Sequence, residues 1–147
     1  MAAITNAYRC AVDILQQSEE YHCPQWLVDE VGKISHRQYS TGFYYDTPGQ
    51  YGENGGDVRE YEFVGEALSC SDNRVLVLVR SKFDVGDTLD IMRPGKQPLL
   101  LKVEHIWSEE GEQLVTANHP MQKVQIDCLQ QIPRGSMLRK KTKKEDA

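Results

Sequence analysis

The sequence predicts a mainly β protein with helices at its N-terminus, in which a two-helix segment precedes a small closed β-barrel. From residue 59 onward, short stretches alternate apolar and polar residues with a period of two. Clusters of Gly, Pro, Asn and Asp separate these stretches, as expected for turns. Before residue 46 the apolar residues recur at spacings of three and four, which is typical of amphipathic helices.

Two helices are predicted in residues 1–45, which we treat as one helical segment. The first covers residues 4–17, and its apolar stripe consists of Ile4, Ala7, Tyr8, Ala11, Ile14 and Leu15. The second covers residues 24–34, and its stripe consists of Leu27, Val31 and Ile34. Since two short helices bury two such stripes poorly by themselves, we expect their faces to pack on a further surface.

Residues 59–139 are predicted to form the barrel. The first strand is expected around Tyr61 and Phe63, whose apolar positions alternate with Glu60 and Glu62, and the apolar run 75–79 is expected to be a fully buried strand. Further strands are expected in the alternating stretches 88–91, 101–105 and 124–128. Five or six short strands in about eighty residues favour closure, because a closed barrel has no exposed edges. Residues 46–58 are rich in glycine and are predicted to be a flexible linker.

Charge is distributed unevenly along the chain. The net charge is -5, but the segment from Arg139 to the end carries +3, so residues 1–138 carry -8. An acidic body disfavours broad non-specific binding of nucleic acid. Residues 140–147 are predicted to be a disordered basic tail, with phosphate contact as the alternative.

The segment 35–45 is the strongest candidate for a functional contact. It places His36 and Arg37 beside the rings and hydroxyls of Tyr39, Thr41 and Phe43, with no helical period. Ordering such a segment costs entropy that only a contact can offset. The His–Arg pair could bind an anion or carry a proton, or it could instead hydrogen-bond carbonyls at a helix end; both hypotheses stay open. For the aromatic rings, an interdomain contact is favoured over ligand stacking.

No catalytic residue and no metal site are predicted in the chain. Its cysteines, Cys10, Cys23, Cys70 and Cys128, form no CxxC pair and are interpreted as reduced thiols of a cytoplasmic protein. His105 falls on the apolar phase of its predicted strand, which favours a core or rim histidine. His119 has no second ligand at a suitable spacing. No apolar run is long enough to cross a membrane, so no membrane partner is expected.

Several motifs together resemble one known family. Residues 35–43 are similar to the SHRxYxTGF signature of the collagenase-like peptidase family U32. Residues 60–66, 83–87 and 135–139 resemble its C-terminal β-barrel domain, which is similar to the second domain of elongation factor Tu. The family's N-terminal TIM-like barrel, with its cysteine-rich signature, is not in this sequence. Its catalytic or iron–sulfur cysteines therefore cannot be assigned to any cysteine here.

The resemblance implies an accessory C-terminal domain for substrate binding or domain packing, whose partner is the missing N-terminal catalytic domain. Some family members are called proteases, and others resemble proteins that hydroxylate a uridine in transfer RNA or a cytidine in ribosomal RNA. We expect a parent that hydroxylates transfer RNA, with an iron–sulfur centre as a candidate cofactor outside this chain. The alternatives are a substrate-holding domain of a collagenase-like protease and a free-standing protein-interaction module. In a parent enzyme, the residues expected near the active site or the RNA or protein substrate are His36, Arg37, Tyr39, Thr41 and Phe43.

Overall fold

A computed structural model describes residues 2–17, 20, 22–36, 44 and 60–142. Within them, helices α1 (Ala2–Gln17) and α2 (Gln25–Gly32) precede ten strands. The strands are β1 (Tyr61–Ser71), β2 (Arg74–Val79), β3 (Phe83–Asp84), β4 (Thr88–Met92), β5 (Leu99–Lys102), β6 (Ile106–Ser108), β7 (Gln113–Leu114), β8 (Thr116–Ala117), β9 (Lys123–Asp127) and β10 (Met137–Lys141). The linker predicted at 46–58 lies outside the described residues, and β10 extends two residues past the predicted end of the barrel.

The strands confirm a mainly β fold, with eight of them in one antiparallel sheet of order β5-β4-β10-β1-β2-β9-β6-β7. This sheet is curled into a half-barrel, and the predicted closure is not confirmed, since no pairing between β5 and β7 occurs in the described part. A separate ribbon of β3 and β8 contacts the β5 edge. Gly86 N–H donates to the Val103 carbonyl (2.8 Å), and Val103 N–H donates to the Asp87 carbonyl (2.9 Å). Because β8 directly follows β7, the ribbon links the two edge strands.

The core lies inside the curled sheet and follows the predicted alternation in most strands. In β2, Val75, Val77 and Val79 are fully buried, whereas Leu76 and Leu78 between them are half-buried. The expectation that the whole run 75–79 is buried is therefore wrong, because one face of this strand points away from the core. The remaining large core side chains come from several strands and include Val64, Phe83, Leu89, Ile91, Ile106, Val124, Ile126 and Leu138.

A β-bulge in β1 overturns the predicted orientation of Phe63. The register of β1 against β10 shifts between Phe63 and Gly65, so Val64 and Gly65 are both buried while Phe63 is 39% exposed. An extra residue in one strand reverses the inside–outside alternation beyond it. Simple period-two counting from Tyr61 cannot detect such an insertion.

His105 is not a core residue, so of the two predicted positions, core or rim, only the rim fits the structure. Strand β5 ends at Lys102, so His105 lies before β6 and is not part of the alternation that buries Val103. Its side chain is 47% exposed, and its Nδ1 lies 2.9 Å from Asp127 Oδ2.

The helices form as predicted, but their buried faces differ from the predicted stripes. In α1 the buried residues are Ala3, Ala7 and Cys10, while Tyr8 is 65% exposed and Leu15 is 53% exposed. The two helices meet through a small cluster of Ala7, Cys10 and Leu27. Small side chains let two helices approach closely, and Ile14 packs against this cluster, whereas Tyr8, Val12 and Leu15 are exposed.

Gly65 is the glycine in the described residues that tolerates a side chain least. A Cβ there would lie 2.7 Å from Val77 Cγ1 and 2.8 Å from the Leu78 carbonyl oxygen. We expect Gly65→Ala to lower the free energy of unfolding by about 1–3 kcal/mol, as overpacking does. Gly32→Ala is the matched control, because nothing lies within 4 Å of its Cβ and alanine favours helix. Equal urea midpoints for the two variants would contradict the prediction.

The β3–β8 ribbon carries a pH-sensitive hydrogen bond. The Thr116 hydroxyl donates to Asp84 Oδ1 (2.5 Å), and this bond, with minor help from Lys82 and Lys140, lowers the pKa of Asp84 against the opposing effect of burial. A lowered pKa stabilises the fold above the ordinary carboxyl pKa near ~4, and this contribution is lost as pH falls through the folded-state value. Thr116→Val should therefore cost about 1 kcal/mol at pH near ~7 and less at pH near ~2.5. Thermal melts at both pH values measure the difference, and an equal loss at both would contradict it.

Candidate functional site at the helix–barrel junction

Helix α2 covers the outer face of β4 and β10 and creates a buried cluster of charges there. Arg139 and Asp90 are directly opposite each other in the β10–β4 ladder. Their neighbours Leu138, Leu89 and Ile91 face the core, so Arg139 and Asp90 point outward from it. Even so, Asp90 is only 2% exposed and Arg139 only 7%, and Glu30 of α2 is fully buried.

The Arg139 guanidinium joins the two carboxylates. Its Nη2 donates to Asp90 Oδ1 (2.8 Å) and to Glu30 Oε2 (3.1 Å). Glu30 Oε1 is also 2.8 Å from Nη2, but this is an ion-pair contact without the geometry of a hydrogen bond. One nitrogen therefore holds a helix carboxylate and a strand carboxylate at the same time.

Lys33, just after α2, completes the cluster. Its Nζ lies 2.5 Å from Asp90 Oδ2 and 3.3 Å from Glu30 Oε2. Burial alone would lower the pKa of Lys33, but the hydrogen bond and charge of Asp90, together with Glu30, raise it above its ordinary value. The lysine is thus charged at neutral pH, and its contribution is lost only as pH rises above about 10.4.

The aromatic ring of Tyr61 in β1 lies beside both cations. Lys33 Nζ is 5.3 Å from the ring centroid and Arg139 Cζ is 5.8 Å from it. At such distances the ring quadrupole attracts a cation. With two cations, two carboxylates and one ring, the cluster is electrically balanced, which burial of charge requires. We call Glu30, Lys33, Tyr61, Asp90 and Arg139 the junction cluster.

A second attachment fixes α1 to the barrel. The Asn6 side chain donates from Nδ2 to the Arg93 carbonyl (3.2 Å) and accepts from Gly95 N–H at Oδ1 (2.8 Å). Both partners belong to the turn between β4 and β5. Together with the junction cluster, this bidentate contact sets the orientation of both helices on the half-barrel.

An open groove of about 980 Å³ runs beside the junction cluster, between the helices and the start of β1. Apolar residues of the two helices line it together with charged and aromatic side chains. Its described lining is Ala7, Tyr8, Ala11, Cys23, Leu27, Val28, Asp29, Val31, Gly32, Lys33, Glu60 and Tyr61.

Of the candidate residues predicted from sequence, His36 alone is within the described residues. His36 is half-buried, takes part in an isolated β-bridge and follows Lys33 by three residues. Arg37, Tyr39, Thr41 and Phe43 lie outside the described residues. Their role near an active site or substrate stays a prediction.

The two buried cysteines of the described residues are poorly suited to act as nucleophiles. Burial is the main cause of the raised pKa of both Cys10 and Cys128, so their thiols stay protonated at neutral pH and are poor nucleophiles. In the described ranges no three His, Cys, Asp or Glu side chains come together as a metal site. Neither α1 nor α2 is long and apolar enough to cross a bilayer.

Sequence reasoning missed the junction cluster. Asp90 and Arg139 occupy the alternate positions of β4 and β10 that period-two counting assigns to solvent, and Glu30 looks like an ordinary helix-surface carboxylate. The available signal is weak: opposite charges occur at outward positions of two strands that turn out to be neighbours. Strand order, which the sequence does not state, is needed to use it.

The fold and this site define a class of protein: a small curled β domain with a helical pair fixed to its outer face by buried charges. The chain belongs to the family described as peptidase family U32 C-terminal domain, whose model matches residues 59–139. It is also similar to the tRNA hydroxylation protein P1 of Bacillus subtilis (strain 168), with 29% identity over 148 residues. That match covers 95% of this chain and 35% of the relative, so the chain spans about a third of the relative's length.

Two solved structures have a similar fold, and both are C-terminal domains of a Geobacillus thermoleovorans putative U32 peptidase. The selenomethionine variant is 30% identical, with a TM-score of 0.52, and the match covers 54% of this chain and 99% of that chain. The other is 27% identical, with a TM-score of 0.52, over 56% of this chain and 93% of that chain. These findings confirm the family that the sequence motifs indicated.

Removing Arg139 should strongly weaken the junction. Arg139→Met leaves Glu30 and Asp90 buried without their shared cation, a change that typically costs about 3–5 kcal/mol. We expect hydrogen exchange in α2 to accelerate and the urea midpoint to fall. The quadruple variant Glu30→Met/Lys33→Met/Asp90→Leu/Arg139→Leu should recover most of the loss, because it removes both carboxylates and both cations and leaves no buried charge unpaired.

Lys123→Ala is the surface control for this experiment. Lys123 pairs with Glu109, and both side chains are about half exposed. Loss of such a pair should change the free energy of unfolding by no more than about 0.5–1 kcal/mol. If Arg139→Met behaves like Lys123→Ala, the junction cluster does not hold the helices in place.

Proposed function

We propose that this chain is an accessory C-terminal module of a cytoplasmic protein that acts in transfer-RNA uridine hydroxylation. The observation that carries the proposal is the extent of the match to the Bacillus subtilis tRNA hydroxylation protein. The family model matches residues 59–139, whereas that relative matches 95% of the chain and so includes the helices. A helix pair and barrel that recur together are expected to act as one unit.

The module's partner in this proposal is the N-terminal part of such a protein, which supplies the chemistry. The exposed faces of the helices are the proposed packing surface. They carry four large apolar side chains that are about half exposed or more: Tyr8, Val12, Leu15 and Val28. An apolar patch of this kind is typical of an interface. The junction cluster would fix the angle at which this surface is presented.

The segment that begins at His36 is proposed to reach the parent's active site or substrate. Lys33 is held in the junction cluster, so the chain leaves α2 from a fixed point only three residues before His36. Within the segment, Arg37 would bind a phosphate or carboxylate through its planar fork. Tyr39, Thr41 and Phe43 would line the same contact. An iron–sulfur centre, if the parent uses one, would lie in the N-terminal part.

A substrate-holding role in a protease is the second candidate. It is favoured by the two solved relatives, which are described as C-terminal domains of a putative U32 peptidase. The two proposals share the accessory role and differ in the substrate, so one experiment on the RNA product separates them.

The test is a chimera in a Bacillus subtilis strain that lacks its tRNA hydroxylation protein. This chain replaces the matched C-terminal third of that protein, and hydroxylated uridine in transfer RNA is measured by mass spectrometry. We expect the chimera to restore the modification. With the N-terminal part alone, the level of hydroxylated uridine should be about 10- to 100-fold lower, because a substrate that is not held in position reacts more slowly. Full modification by the N-terminal part alone would contradict the accessory role.

Variants of the candidate segment refine this test. His36→Ala and Arg37→Lys should reduce modification by the chimera, while the stability of the isolated chain changes by no more than about 0.5–1 kcal/mol. The native C-terminal third, reinstalled with the same junctions, controls for poor folding of the chimera. If the isolated chain unfolds instead while modification persists, the pair is a structural clamp.

A further inference from the structure

The outer face of the sheet carries a second polar cluster, on strands that do not contribute to the junction cluster. It lies on β2, β9 and β6, whereas the junction cluster lies on β4, β10 and β1. Arg74 is opposite Asp127, and Trp107 is opposite Gln125, in adjoining ladders. The alternate residues Val75, Ile126 and Ile106 are all fully buried in the core, so these four side chains point outward.

The centre of this cluster is a stacked pair. The guanidinium carbon of Arg74 lies 3.8 Å from the centroid of the Trp107 ring system. The His105 ring lies 5.3 Å from Trp107, tilted by 35°. Three flat side chains are therefore layered on one surface, in the manner in which proteins stack unpaired bases.

Polar neighbours hold the layers in place. Asp127 contacts both neighbours of the Trp107 ring: its Oδ2 lies 2.9 Å from His105 Nδ1, and its Oδ1 lies 3.8 Å from Arg74 Nε. Arg74 Nη1 also donates to Gln125 Oε1 at 3.5 Å. Despite these contacts, the side chain of Arg74 is 42% exposed and that of His105 is 47% exposed. These contacts hold the side chains in place without a ligand, which lowers the part of the entropic cost of binding that comes from ordering side chains.

A polar groove continues from Arg74 along the end of β1 and β2. It has a volume of about 400 Å³, and Ser69 and Ser71 line it together with Asp72. The hydroxyls can donate to or accept from a ribose, whereas the Asp72 carboxylate repels phosphate. With Asp127 balancing Arg74, the surface favours the uncharged base and ribose of a nucleotide over its phosphate.

We infer that Arg74, Trp107 and His105 form a stacking platform for an unpaired nucleobase of RNA, with the ribose directed toward Ser69 and Ser71. This inference rests on the proposed function for its substrate class and adds a site to it. The platform would hold one base of a single-stranded loop while the N-terminal part of the protein acts on another. Binding through stacking is tolerant of sequence and contributes little salt dependence of its own.

The test uses the 147-residue chain and a fluorescein-labelled RNA hairpin with a single-stranded loop. The same stem closed as a continuous duplex is the comparison ligand. Arg74→Lys keeps the positive charge but loses the planar guanidinium that would stack on the base. The substitution should therefore weaken hairpin binding about tenfold, while the dependence of the affinity on salt concentration stays the same. Arg80→Lys is the matched control, because Arg80 is an exposed arginine at the opposite end of β2 that contacts Met121.

Tryptophan fluorescence gives a second readout that does not depend on affinity alone. The chain has two tryptophans, so Trp26→Phe leaves Trp107 as the single emitter. Hairpin RNA should quench Trp107, and duplex RNA should not. Trp107→Ala, checked for an unchanged cooperative melt, should lose binding at least as strongly as Arg74→Lys.

Any of three results would contradict the inferred stacking platform: no binding of the hairpin, equal binding of hairpin and duplex, or equal hairpin affinities of the Arg74→Lys and Arg80→Lys variants. A collagen-like peptide that quenches Trp107 while RNA does not would also contradict the platform and favour the protease role.

Failure of the proposed function is distinguished by the chimera. If the chimera with Arg74→Lys restores full transfer-RNA modification, the platform is wrong and the accessory role stands; if the unaltered chimera restores none, the accessory role fails.

Discussion

The contact on which the arrangement of helices and barrel depends is the salt bridge of Arg139 to Glu30 and Asp90. A single guanidinium nitrogen lies 2.8 Å from an oxygen of each carboxylate, and all three side chains are almost completely buried. Buried ion pairs contribute little net stability compared with apolar packing, but they tolerate very few geometries. We infer that the junction cluster fixes the position and orientation of α2 on the sheet.

The buried donors of Arg139 support this interpretation. Its Nε and Nη1 are buried and have no hydrogen-bond partner among the described residues. An apolar residue of similar size would avoid that cost, so maximal stability is not what this position provides. What arginine provides is a directional link between two elements that are 109 residues apart in the chain.

The two outer faces of the sheet have different relations to solvent. The β4–β10 face is covered by α2, and there Asp90 and Arg139 are buried. The β2–β9–β6 face has no helix over it in the described part, and there Arg74, His105 and Asp127 remain about two-fifths to one-half exposed. One face thus serves attachment within the protein, and the other is available to a ligand. This division fits the accessory role that we propose.

The sequence by itself determined the mainly β fold, the two helices and the family. Local periodicity and turn residues encode the elements, and the motif around His36 and Arg37 is contiguous, so no tertiary information is needed to recognise it. The sequence did not determine the orientation of Phe63, because no residue pattern in β1 signals the bulge that inserts one residue there. The buried helix faces, the junction cluster and the Arg74–Trp107 stack were decided only by the tertiary structure. Each depends on which strands are neighbours and on what covers them, and these are long-range choices that local patterns of hydrophobicity do not contain.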